Sequence, residues 1–173
     1  GYWPHAALYI GTPKQREELE ISVNHSILEK WTSGISTMEA LKDGVKLRPL
    51  VETLEVDACV VLRPMLSKQG IRTGIERIVK HEGKRYNFDF DFFRSDCLVC
   101  TEVVYRAFDG VEGLEFVLSE RAGRKSVSAE DFLDMALEGE LLHVVAMYGY
   151  PLKSSEILTG ERARELLAES YKS

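Results

Sequence analysis

Two cysteines three residues apart, Cys97 and Cys100, lead into Thr101-Glu102-Val103-Val104-Tyr105-Arg106-Ala107-Phe108, whose apolar spacing predicts an amphipathic helix. A thiol in the first turn of a helix faces unpaired backbone N–H groups and the positive end of the macrodipole. Both stabilise a thiolate and can lower its pKa below the free value of about 8.5. Cys100 is therefore a candidate nucleophile, against the ordinary alternative that a free cysteine beside Leu98 and Val99 is buried packing. The two thiols also read as a CxxC redox pair or as half of a zinc site. A second CxxC or a CxH pair is missing and no Gly-rich phosphate loop occurs, so neither metal nor cofactor is expected. The orderly βαβ pattern of a thioredoxin-like site does not precede the pair.

A thiol nucleophile needs an imidazole within hydrogen-bond reach, to take its proton and return it to the leaving group. His25 and His81 sit in charged helical stretches and read as solvated, while His143 lies in a mostly apolar strand. His5, at the head of the apolar run His5-Ala6-Ala7-Leu8-Tyr9-Ile10, is the expected base. Glu39, at the expected end of a strand before the Lys42-Asp43-Gly44 turn, is the candidate third member. It would hold the other ring nitrogen and fix the tautomer, or else be an exposed turn carboxylate.

The elements that must position these groups alternate without a repeat, a low-complexity tract or a Pro/Gly/Ser-rich linker, so a single domain over residues 1–173 is expected. After the strand ending at Gly11-Thr12-Pro13, the spacing predicts a helix from Lys14 to Trp31. A strand and turn follow from Gly34 to Asp43, and a half-buried strand from Val45 to Leu50. Ala58 to Arg63 reads as an almost wholly buried strand ended by Pro64, and Ile71 to Glu82 as a short surface helix. Beyond the cysteine helix come a short strand at Glu115–Leu118 and a helix opened by Ser128-Ala129-Glu130-Asp131. A β-rich run from Leu141 to Tyr148 and a charged helix from Gly160 to Tyr171 complete the pattern. Strands with segregated helices indicate α+β.

Composition narrows the function classes. Hydrophobic residues make up 45% and charged residues 29%, ordinary for a globular chain. A net charge of −6 argues against a nucleic-acid partner, which needs a basic face. No run approaches the ~18 apolar residues that span a bilayer, and no basic-then-apolar signal segment opens the sequence. The expectation is a soluble chain, cytoplasmic or, if a signal segment was removed, from the cell envelope. Oligomeric state stays open.

The order of these residues resembles a known family. Pro4-His5-Ala6-Ala7-Leu8-Tyr9-Ile10-Gly11, Met38-Glu39-Ala40 with Gly44-Val45, Val60-Val61-Leu62-Arg63-Pro64, and Gly83-Lys84-Arg85-Tyr86-Asn87-Phe88 leading to Cys100-Thr101-Glu102-Val103-Val104 are similar to the permuted NlpC-type papain-like cysteine amidases of bacteria. The resemblance covers about Tyr2 to Phe108 and is nearest to the YiiX/YaeF/YebB-like group, related to lecithin:retinol acyltransferase-like proteins. Histidine precedes cysteine in that family, the reverse of ordinary papain. The resemblance implies a circularly permuted papain-like fold, a small antiparallel sheet or barrel packed against the cysteine helix. It implies Cys100 as nucleophile, His5 as base, Glu39 as its orienting carboxylate, and Tyr86 as a site wall or oxyanion donor. Asn87 departs from the family's Tyr-Asp-Phe-like segment, and the family's Gly-Asp strand ahead of the histidine has no counterpart in the four residues before His5.

The implied reaction is amide or ester cleavage, or acyl transfer, through a thioester acyl-enzyme. The implied substrate is a small-molecule, peptide or lipid-linked amide, including one at a membrane surface or in the cell envelope. Phe88, Phe90, Phe92 and Phe93 could supply apolar walls, although aromatic side chains are more often core. A non-catalytic binding module on the same fold and a CxxC redox protein are the alternative readings.

Overall fold

The computed structural model describes residues 2–31, 34–151 and 153–171. In chain order the elements begin with β1 (Leu8–Tyr9), α1 (Pro13–Glu18), α2 (His25–Lys30), β2 (Ile35–Leu41), β3 (Gly44–Pro49) and α3 (Leu50–Thr53). The middle of the chain forms β4 (Cys59–Pro64), α4 (Lys68–Val79), β5 (Arg85–Tyr86), β6 (Cys97–Leu98) and α5 (Cys100–Phe108). Then follow β7 (Ser119–Arg121), β8 (Arg124–Ser126), α6 (Ala129–Glu138), β9 (Leu142–Gly149), β10 (Ser154–Thr159) and α7 (Gly160–Ser170). This is an α+β chain with small sheets, and the described residues close no barrel: two sheets have three strands and two have two. The chain divides into two compact units, one of residues 1–53 and 66–129, the other of 54–65 and 130–173.

The first unit is built on the antiparallel sheet β1-β2-β3. Alternation along β2 puts Met38 and Ala40 on one face, both fully buried, and Thr37 and Glu39 on the other, also buried. Leu8 pairs with Met38 and Tyr9 with Thr37, so the segment entering β1 runs alongside Glu39. Helix α5 packs against β2 and against α4. At Gly74 of α4 a Cβ would collide with the Phe108 ring and stand 3.0 Å from the Ala107 carbonyl, so the absence of a side chain there sets the approach of the two helices. Gly44, at φ +110°, turns β2 into β3 where a Cβ would lie 2.8 Å from the Lys84 carbonyl. Ile10, Met38, Val45, Ile78, Leu98 and Val103 fill the core between these elements.

The start of α5 is set by Val99, extended at φ −89° and ψ 168°. Valine has no side-chain acceptor, so only half of a capping box forms: Glu102 at the third helical position accepts from the Val99 N–H at 3.2 Å. Cys100 is the first helical residue.

The second unit is the antiparallel sheet β10-β9-β4 with α7 packed on β9. Gly149, at φ +87°, lets β9 pass against the Asp57 carbonyl, where any Cβ would overlap the backbone.

Several expected elements differ. The helix predicted from Lys14 to Trp31 is two helices, because Glu20 takes φ +54° after α1 and the Asn24 side chain accepts the Ile27 N–H to open α2. The strand expected over His5–Ile10 narrows to Leu8–Tyr9, leaving His5 outside regular secondary structure ahead of it. Glu115–Leu118 is no strand; the Asp109 carboxylate takes the Phe116 N–H at 2.9 Å in place of a neighbouring chain. β4 is half-buried rather than wholly buried, being an edge strand on which Val61 is 45% exposed.

Candidate active site

Cys100, His5, Glu39 and Tyr86 all lie in the first unit. Cys100 is 8% exposed at the head of α5. Its sulfur lies close enough to the His5 ring and to the backbone N–H groups of Ala6 and Thr101 for all three to favour a thiolate. His5 Nε2 meets Glu39 Oε2 at 2.7 Å, which leaves Nδ1 for the thiol. Glu39 is 4% exposed, in the middle of β2 rather than in the turn after it, and so is no solvated carboxylate. Its other oxygen, Oε1, accepts from the Thr53 hydroxyl at 3.2 Å and lies 3.3 Å from Arg48 Nε, an attraction of charge more than an aligned hydrogen bond. Thr53 in turn meets the Thr37 hydroxyl at 2.8 Å, and Thr37 donates to the Arg48 carbonyl at 2.9 Å.

These contacts set the charges. Burial alone would hold the Cys100 thiol protonated, but its hydrogen bond with His5, the Ala6 N–H, the His5 charge and the Thr101 N–H outweigh it and bring the pKa down. Burial likewise opposes a charged His5, yet the hydrogen bonds and charges of Cys100 and Glu39 raise its pKa to about 9. For Glu39, burial is overcome by its bond to and attraction for His5, then by Thr53 and Arg48, and the carboxyl ends below its usual range. All three shifts favour the charged forms, a thiolate beside an imidazolium held by a carboxylate.

Tyr86 lies on β5, which pairs in parallel with β6 so that Tyr86 stands opposite Leu98, two residues before the nucleophile candidate. Burial, then the nearby Cys100 charge, pushes its phenol upward, so it stays protonated and able to donate. Phe88 and Phe90 lie edge-on to the Tyr86 ring, with centroids 5.0 and 6.4 Å away. Phe92 is core, whereas Phe88, Phe90 and Phe93 are exposed.

The remaining titratable candidates fall elsewhere. Cys97 is buried in β6, and burial raises its thiol pKa, opposite to Cys100. All three cysteines are free. His81, expected to be solvated, is half-buried at the end of α4; burial and the charges of Lys84, Arg106 and Arg77 lower its pKa to about 4. His25 is exposed and pairs with Glu29 at 3.1 Å. His143 contacts the Met65 sulfur in the second unit. Among the described residues no group of three His, Cys, Asp or Glu side chains is arranged to hold a metal ion.

Arg48, Thr53 and the Ala6 N–H were not singled out from the sequence. Arg48 carries a faint signal, since alternation along β3 puts it on the face of Thr37, its cross-strand partner. Thr53 carries none, because its reach to Glu39 depends on the short α3 turning the chain back. Comparison of the chain with family models, curated proteins and solved structures returns no match.

Proposed function

We propose that the chain is a cysteine hydrolase or acyltransferase that cleaves an amide or ester through a thioester on Cys100. The observation that carries this reading is the row of Cys100, His5 and Glu39, in which His5 Nε2 meets Glu39 Oε2 at 2.7 Å and the interaction of His5 with Cys100 lowers the thiol pKa and raises the imidazole pKa. Supporting the finer reading, a circularly permuted papain-like fold, are the order His5, Glu39, Cys100 along the chain and the packing of α5 on the strand that bears Glu39.

In the first half-reaction the Cys100 thiolate attacks the carbonyl carbon, and the electron pair of the C=O bond moves onto oxygen. The Cys100 backbone N–H has no intrahelical acceptor at this helix position and is suited to the oxyanion, with the Tyr86 phenol as a second donor. As the tetrahedral species collapses, the His5 imidazolium gives its proton to the leaving amine or alcohol, and the acyl group stays on sulfur. Neutral His5 then takes a proton from water or a second acceptor, which attacks the thioester and releases Cys100 as thiolate. Glu39 stabilises the imidazolium and fixes which ring nitrogen faces the sulfur. A lipid-linked or peptide amide is the substrate class we favour. That choice follows from the likeness of the sequence motifs to lipid-acting acyltransferases and, secondarily, from the exposed Phe88 and Phe90 beside Tyr86.

The test is turnover of a panel of acyl amides and esters by single-cysteine variants. Cys100→Ala abolishes release of the leaving group and Cys97→Ala leaves most of it. Equal loss in the two variants, accompanied by a reversible Cys97–Cys100 disulfide, would instead identify a redox pair. Turnover retained in Cys100→Ala overturns the hydrolase reading.

A further inference from the structure

Beneath the first turn of α5 lies a polar network that the reaction scheme does not use. Glu102 is fully buried, and its carboxylate accepts from the Val99 N–H at 3.2 Å, Asn87 Nδ2 at 3.3 Å and Arg106 Nε at 2.9 Å. Asn87 is 1% exposed and uses its whole amide: Nδ2 also donates to the Asp91 carbonyl at 2.8 Å, and Oδ1 accepts the Asp89 N–H at 3.1 Å. Its backbone N–H donates to the Leu98 carbonyl at 3.0 Å. Arg106 completes the set through Nη2, which donates to the carbonyls of Phe92 at 2.9 Å and Arg94 at 2.5 Å. Three side chains thus fasten segment 87–94 to the helix turn that begins with Cys100.

We infer that Asn87, Glu102 and Arg106 are positioning residues that hold Tyr86 and the aromatic segment 87–94 on the nucleophile's helix, and that the network requires an amide rather than a second carboxylate at position 87. The catalytic consequence rests on the hydrolase reading; the fastening itself does not. Phe90, left-handed at φ +53° and 54% exposed, is held in that conformation within the fastened segment. The sequence departure at Asn87 then has a physical reason. Burial already pushes the Glu102 carboxyl upward, against the pull of Arg106, the Val99 N–H and Asn87. An aspartate at 87 would face a buried carboxylate with no donor of its own, and the two would have to share a proton. The titratable groups facing this pair are Arg106 from α5 and Cys97 from β6, which senses the Glu102 charge; Asp89 and Asp91 meet Asn87 through a backbone N–H and carbonyl, while their carboxylates pair with Arg94 and the Phe93 N–H. Arg106 is in turn sensed by His81 at the end of α4.

The experiment is amide hydrogen exchange of the full chain across pH, comparing wild type, N87D and the double variant N87D/E102Q, with Cys100 alkylation by iodoacetamide followed in parallel. In N87D the shared proton raises the folded-state pKa of the pair above its unfolded value. The fastening is therefore intact below the unfolded value and lost as pH rises through the folded one. Relative to wild type at the same pH, amides 88–94 of N87D exchange about tenfold faster on the alkaline side and equally on the acid side, and Cys100 alkylation changes over the same interval. N87D/E102Q, which restores one amide and one carboxyl, loses that pH dependence. Wild-type exchange in N87D at every pH overturns the inference, as does a loss that is the same at every pH and persists in N87D/E102Q. If N87D does not fold, R106K decides, because lysine can pair with Glu102 but cannot also serve two carbonyls: amides 92–94 lose protection while α5 keeps its own, and unchanged protection overturns the inference. Failure of the hydrolase reading would be visible separately, as slow Cys100 alkylation in wild type with the segment still protected.

Discussion

At the scale of single residues, Cys100 and Cys97 lie in one CxxC and have opposite chemistry. The thiol at 100 is lowered by His5 and two backbone N–H groups, while the thiol at 97 is raised by burial. Iodoacetamide should therefore modify Cys100 ahead of Cys97 and Cys59 at neutral pH, as read by peptide mass spectrometry. Equal rates for Cys100 and Cys59 would remove the thiolate from the account. His5 contributes stability that is complete below its ordinary value near 6.5 and lost as pH rises through about 9. Cys100, with its pKa lowered, contributes in the opposite sense, and its share is lost as pH falls through the lowered folded value. The ion pair exists between those limits. Alkylation should therefore persist above pH 9, whereas turnover, which needs the imidazolium as acid, falls there. Glu39→Gln removes the charge and leaves only a weaker, neutral acceptor for His5, so the alkaline limb of turnover moves toward neutrality and the rate drops on the order of 10²-fold. An unmoved limb contradicts the role given to Glu39. Tyr86→Phe separates donor from wall, since loss of an oxyanion donor costs about 10²–10³ in turnover and an unchanged rate leaves Tyr86 as lining alone.

At the scale of elements, the site depends on how closely α5 approaches α4 and β2. Gly74→Ala puts a methyl group into the Phe108 ring and beside the Ala107 carbonyl, and should cost about 1–3 kcal/mol, measured by denaturant unfolding. The helix led by Cys100, the β2-turn-β3 hairpin and the α7 helix were legible in the sequence, the first from its apolar spacing and the hairpin from the Lys42-Asp43-Gly44 turn and the alternation after it. The break between α1 and α2 was missed because Leu19, Val23 and Ile27 keep a helical apolar spacing across it. Local hydrogen bonding overrode that pattern, with Asn24 capping α2 and the Ser22 N–H donating to the Glu76 carboxylate. The β5–β6 pair escaped because two-residue strands have no period to read; what forms them is parallel register, visible only once residues 85 and 97 meet.

At the scale of the whole molecule, the α+β class was readable from the pattern of strands and segregated helices, whereas the division into two units was not. The second unit joins residues 54–65 to 130–173 across most of the first, with no linker composition at either crossing. The candidate site was legible as residue types in order, and the helix start already pointed to a lowered Cys100 thiol, but the share of the Ala6 N–H was not, because a backbone group outside the helix carries no side-chain signal. Global stability carries a separate signature. The folded pKa of His81, about 4, lies below its unfolded value, so between about pH 6.5 and 4 the unfolded chain binds the extra proton and stability falls with acidification, by at most ~3 kcal/mol. His81→Phe should flatten that part of the thermal-stability profile, and an unaltered profile would place the acid sensitivity elsewhere. The central claim, that Cys100 carries an acyl group during turnover, is tested most directly by intact-protein mass spectrometry after acid quench with acyl amides and esters. The account predicts a covalent acyl adduct mapping to Cys100, absent in Cys100→Ala and slow to form in His5→Ala; turnover of any of those substrates with no adduct on Cys100, or with the same adduct in Cys100→Ala, would contradict it.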